Sequence, residues 1–392
     1  MSRRLTGAAA VLACAVLACG GLVAGCGSQP ARVTGTGSPP VTAPLSTSLV
    51  TAQGTWAVAV MGGPDAGGKF WQLFFRPVTG GRWSLVTPQG VADNGGLVAA
   101  GGGTYLVVGF RPSQNLVFSP LATSTDTGRN WTPGLLDAGL ADTPGAIAVG
   151  PSGRTLALLQ DSTVEAAPTA GAAAAGRWVP LTTLKALAAS APGRACGLEG
   201  VTAVSFGPDG NPMAAGSCAR PGPAGVFTHA DGTWRSAGLA LPGRGRVQVL
   251  ALAATAGGNV TLLLAGNSLF AAWWNGTRWT VSAPVAAGPV RALGFGADGS
   301  AWLLLGNEGS GRAETIGGAG GSWQALPRVP PSTVTLAPPG TVPPSPGGAA
   351  SAEGSYDALA VAGSRLTVWR LGQGAWAKAQ LIAVPIQYGS SG

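Results

Sequence analysis

Short apolar runs separated by glycine-rich polar turns recur along this chain from about residue 45 almost to its C-terminal end. One stretch shows the grammar: VQVLAL (247–252), the turn AGGN (256–259), VTLLLA (260–265), SLFAAWW (268–274), then NGTRW opening a last run. The next stretch repeats it with VRALGF, the turn GADG (296–299), SAWLLL, RAETI and GGSW. The preceding one reads VTAVSF, GPDG (207–210), NPMAAGS, GVFTH and DGTW. Runs of this length, aliphatic or β-branched and bounded by Gly, Pro, Asn and Asp, predict β-strands. Several are apolar at every position, as expected of strands buried on both faces. Only LTTLKALAAS (181–190) predicts a helix.

A small-residue turn followed by tryptophan closes each stretch, at Trp83, Trp131, Trp178, Trp234, Trp279, Trp323 and Trp376. Successive tryptophans are 48, 47, 56, 45, 44 and 53 residues apart. A repeat of this length carrying four short strands matches the blade of a β-propeller. The expected fold is therefore all-β: a seven-bladed β-propeller of four-stranded antiparallel blades over residues 45–383, with a C-terminal tail at 384–392. The Pro/Gly/Ser-rich stretch 338–354 falls between the first two strands of the last blade, as a long loop.

The N-terminus has a different character. Arg3 and Arg4 precede an uncharged stretch from Leu5 to Leu22, which ends in Val23-Ala24-Gly25-Cys26. A positive flank, a short apolar core and small residues at the cut make an export signal. The tetrad resembles the lipobox of bacterial lipoproteins, which implies a diacylglycerol thioether on Cys26 and cleavage before it. Residues 1–25 are then the signal peptide and 26–44 the lipidated cysteine and a Gly/Ser/Thr/Pro-rich tether. The alternative is an ordinary signal peptide with an incidental cysteine. Thr6 stands where a twin-arginine signal wants a bulky apolar residue, which favours the general secretory route. The expected address is the outer face of the cell membrane, held by acyl chains.

Charge adds little to this picture. Of 23 basic residues, Arg3 and Arg4 leave with the signal, so 21 face 15 acidic residues, an excess of six. The arginines are scattered along the sequence, Arg244 and Arg246 being the closest pair, and no phosphate-tracking stripe forms. Nucleic acid is excluded as a partner on this reading. Modest attraction to an acidic wall or a lipid headgroup surface stays open beside a purely solubilising scatter.

Ser124, Asp126, Gly128 and Trp131 fit the pattern Ser/Thr-x-Asp-x-Gly-x-x-Trp. This segment resembles the Asp-box, or BNR repeat, of sialidase-like propellers, which closes the hairpin between the third and fourth strands of a blade. Ser124 and Asp126 are expected to accept turn N–H groups, Gly128 to take the positive-φ position and Trp131 to wedge between blades. In the other units only the small residue and the tryptophan persist. A sialidase would need an arginine triad, a Tyr/Glu nucleophile pair and an aspartic acid/base. The chain holds three tyrosines (Tyr105, Tyr356, Tyr388) and five glutamates (Glu165, Glu199, Glu308, Glu314, Glu353). Phe74–Pro77 (FFRP) is faintly similar to the early arginine motif of sialidases, against the simpler reading of Arg76 as a solvated strand-end residue. His229 is the only histidine, and Asp209 and Asp298 read as turn residues. Neither a metal site nor a cofactor is expected.

Cys196 and Cys218 remain after Cys26 in the exported chain. Strands at 201–206 and 211–217 would bring them together as a disulfide; the alternative is two unrelated thiols. Loops joining second to third strands, and each fourth strand to the next blade, share one propeller face. That face carries Asp65, Arg111, Asp161, Lys185, Arg194, Glu199, Arg220 and Glu308, read as a binding face or as ordinary solvated charges. The expected function is a monomeric, non-catalytic binding or assembly scaffold for an envelope protein or glycan. The alternative is a divergent extracytoplasmic sialidase-like glycosidase or lyase, which requires two carboxylates converging in the central funnel.

Overall fold

The computed structural model describes residues 46–62, 69–88, 96–109, 118–137, 145–255, 258–307, 311–339 and 355–384. Cys26, Asp65, Arg111, Glu308, the signal, the tether and the tail from residue 385 lie outside the described residues.

The chain is all-β, built of antiparallel four-stranded meanders. The first unit is β1 (Ser46–Thr51), β2 (Gly54–Gly62), β3 (Lys69–Pro77) and β4 (Ser84–Leu85). The second is β5 (Gly96–Gly101), β6 (Thr104–Gly109), β7 (Phe118–Ser124) and β8 (Thr132–Asp137). In the third, β9 (Ala146–Val149), β10 (Thr155–Leu158) and β11 (Val164–Ala167) are followed by α1 (Ala170–Ala174) and β12 (Val179–Thr182). Two short helices, α2 (Leu184–Ala189) and α3 (Ala191–Cys196), lead into the fourth unit, β13 (Leu198–Phe206), β14 (Pro212–Cys218), β15 (Gly225–Ala230) and β16 (Thr233–Ser236). The fifth is β17 (Val247–Thr255), β18 (Gly258–Ala265), β19 (Ser268–Trp274) and β20 (Trp279–Val281), with β21 (Val285–Ala286) added to β19. The sixth is β22 (Val290–Phe295), β23 (Ala301–Leu305), β24 (Arg312–Ile316) and β25 (Gln324–Ala325). The last is β26 (Thr333–Ala337), β27 (Asp357–Ala362), β28 (Arg365–Gly372) and β29 (Ala375–Ala383).

The units stack face on face through apolar clusters that follow chain order. Ala203, Val226 and Met213 of the fourth pack on Val249, Leu263 and Phe270 of the fifth. Leu262, Leu264 and Trp273 of the fifth pack on Leu293, Leu303 and Leu305 of the sixth. The first and last units also meet, through Ala57, Met61 and Phe74 against Leu359, Leu366 and Val368. Strands such as β18, buried at all eight positions, are apolar on both faces because neighbours cover both.

Two features depart from the sequence reading. The helix expected within 181–190 forms as α2, while α3, which follows across Ser190 with Gly193 N donating to its Oγ at 3.2 Å, and α1 at Ala170–Ala174 lie outside that expectation. Pro192 and Gly193 read as helix breakers, yet proline is tolerated in a first turn, where its missing N–H has no partner to lose. Secondly, β1 and β22 pair in parallel, Thr47 opposite Leu293 and Leu49 opposite Phe295, which joins the first and sixth units into one eight-stranded sheet. Nothing local in either strand encodes that contact.

Candidate functional site

In every unit the start of the first strand, the end of the second, the start of the third and the end of the fourth lie at one end, here called the loop face. The remaining two turns lie at the other end, the hairpin face. Hydrogen bonds between units tie like ends together. On the loop face Gly62 N donates to Gly363 O at 3.0 Å and Gly222 N to Gly245 O at 2.7 Å. On the hairpin face Asn259 Nδ2 donates to Phe206 O at 2.7 Å.

Between the fourth and fifth units the loop face gathers charge. Helix α3 ends at Gly197, whose φ of 67° lets the chain reverse into β13. The Cys196–Cys218 disulfide, Cα atoms 5.3 Å apart and both cysteines buried, fixes α3 to the end of β14. Ala219 N to Gly197 O (2.8 Å) and Arg220 N to Cys196 O (3.2 Å) extend that contact beyond the strands. Leu241 N to Gly222 O (2.7 Å) draws in the 241–246 segment. Arg194, Arg220, Arg244 and Arg246, all exposed, are thereby brought to one place from three segments. The arginines are scattered along the chain as the sequence shows, and the fold brings the segments bearing these four together. Arg246 pairs with Glu199 at 3.0 Å, a surface contact worth about 0–1 kcal/mol. The Arg244 guanidinium lies over the Phe270 ring, 5.4 Å from its centroid. Arg194 donates to Ala189 O, and Lys185 is exposed on α2. Asp161 is a turn residue, accepting from Thr163 N and Thr163 Oγ1, both at 2.8 Å. Arg244 and Arg246 were missing from the sequence-derived face; the connection after each fourth strand was the signal that could have found them.

A second cluster joins Arg76 and Trp83 to partners the sequence does not reveal. Asp357 is fully buried and accepts from Arg76, from Trp83 Nε1 (2.8 Å), and from Arg370 Nε (2.9 Å) and Nη2 (3.2 Å). Arg76 also donates to Pro338 O at 3.1 Å, and burial pulls its guanidinium pKa down. Arg76 is thus neither solvated nor part of a substrate triad; it holds the first unit to the last. Gln380 adds two bonds across the same seam, to Trp83 N and Trp83 O, both 2.8 Å.

The tryptophan repeat has the same logic. Trp131 Nε1 donates to Val86 O (2.8 Å), Trp279 to Ala237 O (2.8 Å), Trp323 to Ala283 O (3.1 Å) and Trp376 to Pro327 O (3.1 Å). Each acceptor lies just past the fourth strand of the preceding unit. Trp83, in the first unit, reaches Asp357 of the last. Trp178 bonds Ala173 O of the α1 insertion at 3.0 Å instead.

At residues 124–131 Ser124 Oγ accepts from Gly128 N (2.9 Å) and Asp126 N (3.3 Å), and Asp126 Oδ1 accepts from Asn130 N (2.9 Å). Gly128 has φ 80°. The Asp126 pKa falls to about 2, first through the Asn130 backbone N–H and then the Asn130 side chain. Trp131 is half-buried and meets Trp56 edge-on at 6.3 Å.

Chemistry for hydrolysis is sparse. Among the described first strands Glu199 is the single carboxylate, and it faces Arg246. His229 stacks on Trp234 at 5.0 Å in the outer hairpin, its pKa lowered by burial and by Arg154. Asp209 and Asp298 cap their own turns. Among the described residues no group of three or more His, Cys, Asp or Glu could hold a metal, and no helix is long and apolar enough to cross a membrane.

No family model matches the sequence, and no curated protein matches it. Solved structures do resemble it. A candidate 6-phosphogluconolactonase from Bacteroides uniformis superposes with a TM-score of 0.50 at 12% identity, over 85% of this chain and 98% of that one. A GH74 xyloglucanase from Xanthomonas campestris gives 0.53 at 13% identity, over 84% of this chain and 52% of that one, so the chain spans about half of that enzyme. The Cps50 (Swd1) β-propeller domain of Myceliophteria thermophila gives 0.50 at 9% identity, over 86% and 99%. At such identities the likeness is one of fold: the chain is a β-propeller.

Proposed function

We propose that the chain is a seven-bladed propeller, tethered through lipid on Cys26 to the outer face of the cell membrane, and that it serves as a non-catalytic binding or assembly scaffold for an envelope protein or glycan. Closure as seven blades is supported by the tryptophan bonds, which run from the second, fifth, sixth and seventh units to the one before and from the first to the last. The Ser124–Trp131 geometry supports the Asp-box reading of that hairpin, in which Asp126 and Ser124 are structural. The observation that carries the function is the contrast between the two regions. The first strands offer one carboxylate, already paired, while the loop face presents exposed side chains on cross-bonded loops. Hydrolysis of a glycosidic bond needs two carboxylates at a working separation of about 5–10 Å.

The test is cross-linking of intact envelopes followed by affinity capture of the native chain, in parallel with an Asp161→Asn/Glu199→Gln variant, both residues being exposed on the loop face. A partner retained by the native chain and lost by the variant is expected. Recovery of the same material by both, or turnover of envelope glycans by the purified protein, overturns the proposal.

A further inference from the structure

We propose that the basic cluster between the fourth and fifth units is a docking surface for the anionic phospholipid headgroups of the membrane; the inference rests on the tethered reading above. Arg194, Arg220, Arg244 and Arg246 are exposed there, and Lys185 is exposed on α2, the helix that leads into α3. Two acids stand against these five bases, Glu199 bound to Arg246 and Asp161 bound within its own turn, which leaves a local excess of three. Backbone hydrogen bonds and the disulfide hold the three contributing segments together, so the charge is presented as one patch. The hairpin face differs. There Asp126, Asp209, Asp231 and Asp298 sit among the arginines, and Arg235 pairs with Asp231 at 3.3 Å.

The direction of β1 supplies the second argument. Its turn into β2, at residues 52–53, lies on the hairpin face, so Ser46 enters from the loop face. The chain bearing Cys26 therefore joins the propeller on the side of the basic patch. Residues 27–45 can span at most about 65 Å, which bounds the distance between an anchor on Cys26 and the loop-face entry of β1. Each Lys or Arg brought within a Debye length of an anionic leaflet strengthens partitioning roughly fivefold. A compact patch without a track for a polymer fits a plane of phosphates better than a linear polyanion.

The test uses the chain from residue 26 carrying Cys26→Ser, so that no acyl chain contributes. Every apolar core cluster of the described residues lies within residues 46–384, so the chain from residue 26 keeps all of them. Sedimentation is measured with vesicles of equimolar phosphatidylglycerol and phosphatidylcholine and with phosphatidylcholine alone. Binding to the anionic vesicles alone is expected, released by roughly 0.5 M NaCl as screening shortens the range of the field. Arg220→Glu with Arg244→Glu should weaken it at least about thirtyfold, while Arg177→Glu with Arg278→Glu on the hairpin face should leave it within about threefold. Unchanged unfolding curves establish that both variants are folded. Equal binding to both vesicle types, no binding at low salt, equal losses from the two pairs, or tighter binding to a soluble acidic polysaccharide than to the anionic vesicles would each overturn the inference. Partner capture from envelopes reads the scaffold proposal separately, since it can succeed whether or not vesicles bind.

Discussion

Asp357→Asn tests the seam between the first and last units most sharply. The substitution keeps the shape of the side chain and removes its charge. Arg76, whose side chain is 8% exposed, is then left without its counter-ion, and Trp83 Nε1 and Arg370 meet a weaker acceptor. Breaking a buried pair from one side costs about 3–5 kcal/mol, because the stranded charge keeps its desolvation penalty. Arg370 is 42% exposed, and water recovers much of what it loses, so the lower half of that range is expected. With an unfolding entropy near 2.1 cal/mol/K per residue over roughly 340 residues, 3–4 kcal/mol lowers Tm by about 5 °C. Urea unfolding should show a lower midpoint at unchanged m-value. Native-state hydrogen exchange should place the lost protection in β1–β4 and β26–β29, ahead of the fourth and fifth units. Replacing the pair together, Arg76→Met with Asp357→Leu, should recover most of the loss, since no charge is then buried. A loss below about 1 kcal/mol, or protection lost evenly around all units, would refute the reasoning.

Other consequences are open to measurement. Cys196→Ala with Cys218→Ala should cost about 3 kcal/mol in chemical unfolding, from the freed loop in the unfolded chain, and should expose α3 to proteolysis first. Trp131→Phe keeps one six-membered aromatic ring but removes the pyrrole portion with its N–H to Val86 O, which should cost about 1–3 kcal/mol and loosen the contact between the first two units. The Asn130 contacts lower the Asp126 pKa to about 2, below the usual carboxylate range, so its contribution is complete above the unfolded pKa and lost as pH falls from about 4 through 2. Asp126→Asn should therefore flatten the acid limb of the stability curve in that window, and a carboxyl titrating near 4 in the folded protein would contradict the Asn130 contacts.

Local chemistry carried most of the architecture. The turn residues and apolar runs marked the strands, because strand, hairpin and tryptophan plug are each encoded within a few residues. Ser124, Asp126, Gly128 and Trp131 bond as their spacing implies, since every partner but one lies within the same turn. The cysteine pair was legible from strand order alone. Helix α3 was not, because Pro192 and Gly193 oppose a helix in every context except its first turn.

The charged residues show where sequence stops and tertiary structure begins. Strand content, repeat length and the Cys196–Cys218 pairing depend on neighbours along the chain, and the sequence by itself determines them. The burial of Arg76 against Asp357, 281 residues away, depends on the last unit returning to the first; FFRP draws attention to Arg76, but no local pattern marks Asp357 or the pairing. The same holds for Arg194, Arg220, Arg244 and Arg246, which become neighbours only when the 197, 219–222 and 241–245 backbones exchange hydrogen bonds. Short-range hydrogen bonding and hydrophobic period can be read from order in the chain. Electrostatic neighbourhoods cannot, because charge acts through space and the fold alone decides which distances are short.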